Sequence, residues 1–181
     1  MDTKLSTGEV VLLKLPGSEP KVVVQIRSES DTYPGCAQLT IHGGVEEGEG
    51  FSDALRREVR EEIAELFRRI GQKAPPLLAQ YFDRSPDDLH LVEYFSDDRA
   101  GIASHSFTIS DPRFLDLIAP LLEHGILRIL SRTDVEKIRS IDPADEAIRK
   151  EGVDTNTIAM FRDEWKILKL LLFSEDQALA A

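Results

Sequence analysis

Three glutamates in this sequence stand where their carboxylates can act together. Glu58, Glu61 and Glu62 are spaced i, i+3 and i+4, so on a helix they converge within one turn. Three like charges so close repel one another and weaken the helix that carries them. Arg57 and Arg60 offset part of that repulsion, and a divalent cation would offset far more. Mg²⁺ and Mn²⁺ are hard ions that take oxygen ligands and bridge carboxylates to substrate phosphates. A helical face rich in Glu and Arg is most often a solvated surface laced with i, i+4 pairs. The chemical reading therefore depends on what surrounds the three carboxylates.

What must position them is the run from 43 to 65. Gly43, Gly44, Gly48 and Gly50 make a helix costly and a tight loop easy. From Ser52 the glycines stop, and Ser52 or Asp53 is the expected N-cap. Leu55, Val59, Ile63, Leu66, Phe67 and Ile70 recur at spacings of three and four, the buried face of a helix expected to run to Gly71. Arg57, Glu58, Glu61, Glu62 and Glu65 fall on its remaining surface.

Read in order, the run is Gly43, five residues, Glu49, seven residues, then Arg57-Glu58-Val59-Arg60-Glu61-Glu62. It resembles the signature of the Nudix hydrolases. The family pattern goes on with any residue, a glycine and an aliphatic residue, and here Ala64 and Glu65 depart from it. Every charged position is kept, so the departure bears on the loop after the helix and on substrate class. The resemblance implies hydrolysis of the diphosphate in a nucleoside diphosphate joined to another group, with Mg²⁺ or Mn²⁺ as cofactor. It implies Glu58, Glu61 and Glu62 as metal ligands, the Gly43 carbonyl completing the shell, and Glu49 supporting the loop behind them. Arg57 would orient a catalytic glutamate, and Glu58, Arg57 and Glu61 form the candidate catalytic set. Glu58 is the first choice of general base. The physics agrees, because an anhydride under attack accumulates charge that positioned cations neutralise, and little covalent chemistry is asked of the protein. The resemblance further implies an α/β fold (α+β by some conventions), an α/β/α sandwich around a mixed sheet. It covers residues from about 8 to about 140, and an extra C-terminal helix lies in the extension 141–181.

The chain has 181 residues, enough for one domain with a sizeable core, and 41% hydrophobic with 30% charged residues is a globular balance. A net charge of −11 repels nucleic-acid backbones and anionic membranes, so non-specific binding of either is not expected. The one cysteine, Cys36, rules out an intramolecular disulfide and suits a reducing compartment. The start shows no basic segment leading into an apolar run, and the patch 167–173 is too short to span a bilayer. The expected location is cytoplasmic, and the expected partner is a small nucleotide-type molecule.

Residues 8–15 and 21–27 read as strands covered on both faces, and 37–42 as the strand that delivers the chain into the glycine loop. After Ala74-Pro75-Pro76, residues 77–83 and 89–95 read as strands around a hairpin loop at 84–88, with a turn at 97–101 and a strand at 103–109. Asp111-Pro112 opens a helix with Phe114, Leu117, Ile118, Leu121 and Leu122 on its apolar face. A strand over 125–131 and a short helix over 133–140 follow, then a loop with one helical turn over 141–155. Ile158, Phe161, Trp165, Leu168 and Leu172 predict a terminal helix. Its broad stripe is either docked on the core, the first reading, or shared with a second copy in a homodimer.

Two other functions compete. A non-catalytic nucleotide-binding or regulatory module would keep the fold, but loss of box carboxylates would mark it and none is lost. A prenyl-diphosphate isomerase would resemble the fold and use a cysteine with a glutamate. The surroundings of Cys36, Tyr33-Pro34-Gly35-Cys36-Ala37-Gln38, do not match what that enzyme requires.

Overall fold

The computed structural model describes residues 4–82, 90–97, 100–142, 144–154 and 156–178. Its centre is the pair of β-branched runs. Strand β1 (Lys4–Leu13) and strand β2 (Lys21–Ile26) pair antiparallel with Val11 opposite Val23 and Leu12 opposite Val22. Successive side chains of a strand point to opposite faces, and here both faces are apolar. Val11, Leu13 and Val23 enter one core, and Val10, Leu12, Val22 and Val24 a second. β1 extends four residues further toward the N-terminus than its apolar run, because its whole length pairs in parallel with β6 (Ala100–Ile109), from Lys4 opposite Ala100 to Leu13 opposite Ile109.

The stretch 37–42 is two strands, not one. β3 (Ala37–Leu39) pairs with β2, and β4 (Ile41–Gly44) turns away to pair with β1. Thr40 stands at the break, where β1 and β2 diverge. Its hydroxyl donates to the Val23 carbonyl at 2.6 Å and accepts from the Val11 amide at 3.3 Å. A side chain thus supplies the hydrogen bonds that the parting strands no longer make to each other. The sheet forks there, with β4 on one arm and β3 on the other.

The full order is β5-β6-β1-β2-β3-β9-β8, with β4 beside β1 and β7 beside β2, where β5 is His90–Asp97, β7 Leu127–Leu130, β8 Arg139–Ile141 and β9 Ala159–Phe161. The sheet is mixed: β1–β6, β3–β9 and β8–β9 are parallel, the other pairs antiparallel. Helices α1 (Phe51–Arg69), α2 (Pro76–Phe82) and α3 (Arg113–Glu123) cover the first core. The short α4 (Arg132–Glu136) and the terminal α6 (Arg162–Ala178) cover the second. The layers are those of an α/β/α sandwich, as expected. A small third cluster gathers Cys36, Ile141, Ile148 and Ala159 around α5 (Glu146–Glu151).

Several local expectations are corrected. In place of the strand expected over 77–83, residues 77–82 belong to helix α2, and residue 83 lies outside the described residues. Pro76 sits in the first turn, where its missing N–H costs nothing, and Leu78, Tyr81 and Phe82 face the core. Helix α1 is capped by Gly50 and begins at Phe51, so Ser52 and Asp53 lie inside its first turn and not at the cap. α3 begins at Arg113, one residue past the proline. Residues 159–161 form β9, so α6 starts after Phe161 and not at Ile158, and the helix expected over 133–140 ends at Glu136 before β8. The hairpin loop expected at 84–88 and the turn residues 98–99 lie outside the described residues. At the far end of α1 the expectation stands. Gly71 has φ +69° and its amide meets the Arg68 carbonyl at 3.0 Å, while the Gln72 amide meets that of Phe67 at 2.9 Å, a left-handed helix stop. Ala64 and Glu65 lie inside the helix, which therefore runs on where the family pattern has glycine.

The terminal helix is docked. Ile167, Leu168 and Leu172 are buried in the second core, and the Glu164 carboxylate accepts the Leu39 amide at 2.9 Å, pinning α6 to the end of β3. No helix among the described residues is long and apolar enough to cross a membrane.

Candidate active site

Helix α1 packs against β4 and β1, and its buried stripe decides which glutamates turn inward. Val59 and Ile63 are core residues, so Glu58 and Glu62, one position before each, lie at the boundary between core and solvent. Glu58 is only 9% exposed, far from the solvated position its charge suggests. The reason is Gly43. A Cβ at that position would fall on the carboxylate of Glu58, so the space left by the missing side chain is where the carboxylate sits, directly against the β4 backbone. A glycine is required there by close approach and not by a special φ.

Arg57 organises what surrounds it. Its Nε and Nη2 hold the two oxygens of Glu49 at 3.1 and 2.9 Å, and its Nη1 donates to Glu58 Oε1 at 2.7 Å. Nη2 also donates to the Gly44 carbonyl at 2.8 Å, and Nη1 reaches Glu61 Oε2 at 3.4 Å. Glu49 in turn accepts the Glu46 amide at 3.1 Å, closing the glycine loop on itself. The bidentate pairing is the strong form of a charge-assisted bond. It holds the Glu49 carboxyl below the usual carboxylate range, with the Glu46 amide adding to the effect, and Glu49 and Glu58 together keep Arg57 protonated.

Glu62 lies one turn further along α1. Burial pushes its pKa up; a hydrogen bond from Gln25 of β2 opposes that shift, the nearby charge of Glu58 adds to it, and His42 and Arg69 oppose it. Glu61 points outward, its side chain 63% exposed. The sequence-predicted residues Gly43, Glu58, Arg57 and Glu49 are therefore linked in that order by contacts, Glu61 touches them through Arg57, and Glu62 lies one helical turn beyond Glu58. Sequence reading missed Gln25 and also Thr7 and Glu9 of β1. All three are buried on the side of the sheet that α1 covers, with Thr7 opposite Gly43 and Glu9 opposite Ile41. The signal available was polarity within apolar strand runs, which acquires meaning only once register is known.

A divalent cation suits this set by chemistry. The donors are carboxylate and carbonyl oxygens, the ligands of hard ions, and the Gly43 cradle presses one carboxylate against backbone. Among the described residues no three His, Cys, Asp or Glu side chains already converge as a closed metal cage. Glu61 and Glu58 are instead turned toward Arg57. The acidic residues outside the box, Asp87, Asp88, Glu93, Asp97 and Asp98, are not among those whose side chains are described. Cys36 is buried in the third cluster among Ile141, Ile148 and Ala159, and burial pushes its thiol up, away from nucleophilic use. Tyr33 and Arg27 pack on Phe161, and Tyr81 and Phe82 on Phe114.

The fold has counterparts of known structure. A MutT/Nudix family protein from Listeria innocua superposes with a TM-score of 0.57 over 99% of this chain and 98% of its own, at 12% identity. A Nudix hydrolase from M. smegmatis, RenU, aligns over 96% of this chain and 89% of its own, at 11% identity and a TM-score of 0.49. No curated protein matches the sequence. Residues 8–151 match the NUDIX domain, and with that the chain belongs to the Nudix family, as a hydrolase of phosphoric anhydride bonds.

Proposed function

We propose that the chain is a divalent-metal-dependent pyrophosphohydrolase acting on a nucleoside diphosphate joined to another group. The observation that carries this reading is the seat of Glu58: a carboxylate lodged in the space of an absent side chain at Gly43 and clamped by Arg57. A carboxylate so placed is poor for stability, since it is nearly buried beside other acids, and good for holding a fixed charge. Nudix hydrolases in general use divalent metals. In this chain Glu58, Glu61 and Glu62 with the Gly43 carbonyl would hold Mg²⁺ or Mn²⁺. The ion supplies charge neutralisation on the diphosphate oxygens and a lowered pKa for bound water.

The chain's own residues do the rest. Arg57 orients Glu58 and ties it to the glycine loop through Glu49, so that the loop and the helix keep one geometry. Glu58 is the residue assigned to take the proton from the attacking water. Glu61, exposed and joined to Arg57 by a long bond, is the ligand with freedom to turn toward a cation. The substrate is a small molecule of nucleotide type, and the location is cytoplasmic.

The test is a Mg²⁺-supplemented panel of nucleoside triphosphates, sugar nucleotides, dinucleoside polyphosphates, dinucleotide cofactors and capped RNA. The expected outcome is release of product from one class, lost in Glu62→Gln and in excess chelator. The melting temperature of Glu62→Gln should be unchanged or higher, because one of two close carboxylates is neutralised. Turnover that survives either the substitution or the chelator overturns the assignment. Silence across the panel in a folded protein that binds Mn²⁺ favours a nucleotide-binding module.

A further inference from the structure

Thr7 of β1 is 0% exposed and shares a strand face with Val11 and Leu13 of the first core, the face that α1 covers. Its hydroxyl, Oγ1, meets no hydrogen-bond partner among the described residues. A buried hydroxyl in that state costs stability. Valine has the same shape and a strand preference as strong, and would fill the position without that cost. Packing therefore accounts for the size of residue 7 and not for its oxygen.

Register sets what the hydroxyl faces. Thr7 stands opposite Gly43 of β4 on one side and Ala103 of β6 on the other, and neither residue type carries a polar side-chain group. Directly opposite residues of paired strands hold their Cβ atoms about 4.5–5.5 Å apart on one face. The Glu58 carboxylate occupies the place of the Gly43 Cβ, so it is the polar group next to Thr7 across this row. Glu9, the next residue of β1 on that face, is about 7 Å further along the strand. Arg57 holds Glu58 Oε1 at 2.7 Å, and Thr7 borders the same carboxylate from β1. We propose that Thr7 is a positioning residue whose hydroxyl turns to donate to the Glu58 carboxylate when a divalent cation engages it. The bond fixes the carboxylate in its seat against β4, as hydrogen-bond partners behind metal ligands do. This rests on the reading of Glu58 as a metal ligand. Thr7 touches neither cation nor substrate and acts through Glu58.

The experiment compares wild type, Thr7→Val, Thr7→Ser, Glu58→Gln and the double variant Thr7→Val/Glu58→Gln by thermal melting and by Mn²⁺ binding without substrate, read from the EPR signal of the free ion. Thr7→Val should melt at or above the wild-type temperature while its Kd for Mn²⁺ rises about tenfold. Thr7→Ser keeps the oxygen and loses a methyl group, so it should melt lower yet bind Mn²⁺ within about twofold of wild type. Added to Glu58→Gln, Thr7→Val should change the Kd by less than about twofold, because both act through one carboxylate. If Thr7→Val does not fold, Thr7→Ala set against Thr7→Ser gives the same comparison. Unchanged Mn²⁺ binding in Thr7→Val overturns this inference and leaves the metal reading intact. Equal losses in Thr7→Ser and Thr7→Val, or full additivity with Glu58→Gln, also overturn it. Wild-type protein that binds no Mn²⁺ overturns both readings.

Discussion

Arg57 shows how much a single side chain can fix. A guanidinium has five N–H donors in a rigid plane, and the bonds to Glu49, Glu58, Glu61 and the Gly44 carbonyl use them all. A lysine, a point charge on a flexible stem, could not reproduce that fork. Opposite it, Gly43 works by what it lacks. Gly43→Ala places a methyl group on the Glu58 carboxylate and forces either the strand or the helix to shift. The expected cost is about 1–3 kcal/mol of stability, together with loss of turnover, read by denaturant titration and by activity on the substrate found. These residues were legible in the sequence because chemistry that needs several groups on one helix turn leaves a fixed spacing. Gln25 and Thr7 were not, because a polar residue in an apolar strand carries no spacing of its own. Its role depends on which face it takes and what lies across the sheet.

Among the elements, the same contrast separates α1 from the others. About five turns of consistent 3.6-residue periodicity name α1 and its stop at Gly71, whereas seven apolar-rich residues at 76–82 satisfy a strand or a helix equally, and only packing decides. The split of β3 from β4 had no sequence signal, since threonine is a good strand residue and its role at position 40 is read from two hydrogen bonds. Ile158 and Phe161 mimic helical spacing by continuing the stripe of α6 backward, although 159–161 pair with β3 and β8. Helices α2 and α3 are joined by Asp111, which accepts from the Tyr81 hydroxyl at 2.8 Å and from Arg113 Nη2 at 2.7 Å. Arg113 first, and then Tyr81, hold the Asp111 carboxyl well below the usual carboxylate range. A depressed folded pKa stabilises the protein above the unfolded value of about 3.9 and loses that effect as pH falls through the folded value. Asp111→Asn should therefore melt below wild type at neutral pH. The gap should persist through pH 4 and close only in stronger acid, as followed by melting curves across that range.

At the level of the whole molecule, two cores sit back to back on one sheet, and only the first contains the α1 face that carries the box. The layered architecture was legible because strand runs apolar on both faces demand cover on both sides. The identity of the second cover was not fully so, since the stripe of α6, read first as docked on the core, also fitted self-association. Leu168 settles the docking by its 0% exposure. Leu168→Ala should cost about 2–5 kcal/mol with an unchanged denaturant m-value, a cavity penalty in a cooperative unit. The order of the chain gives this arrangement a further consequence in time. Val10, Leu12, Val22 and Val24 are synthesised well before the helices that cover their second-core face, which bring Val135 and then Ile167, Leu168 and Leu172 of α6. On a ribosome β1 and β2 must wait, that face incompletely covered, until α6 has emerged. A nascent chain of this kind exposes an apolar sheet face until its covering helix arrives.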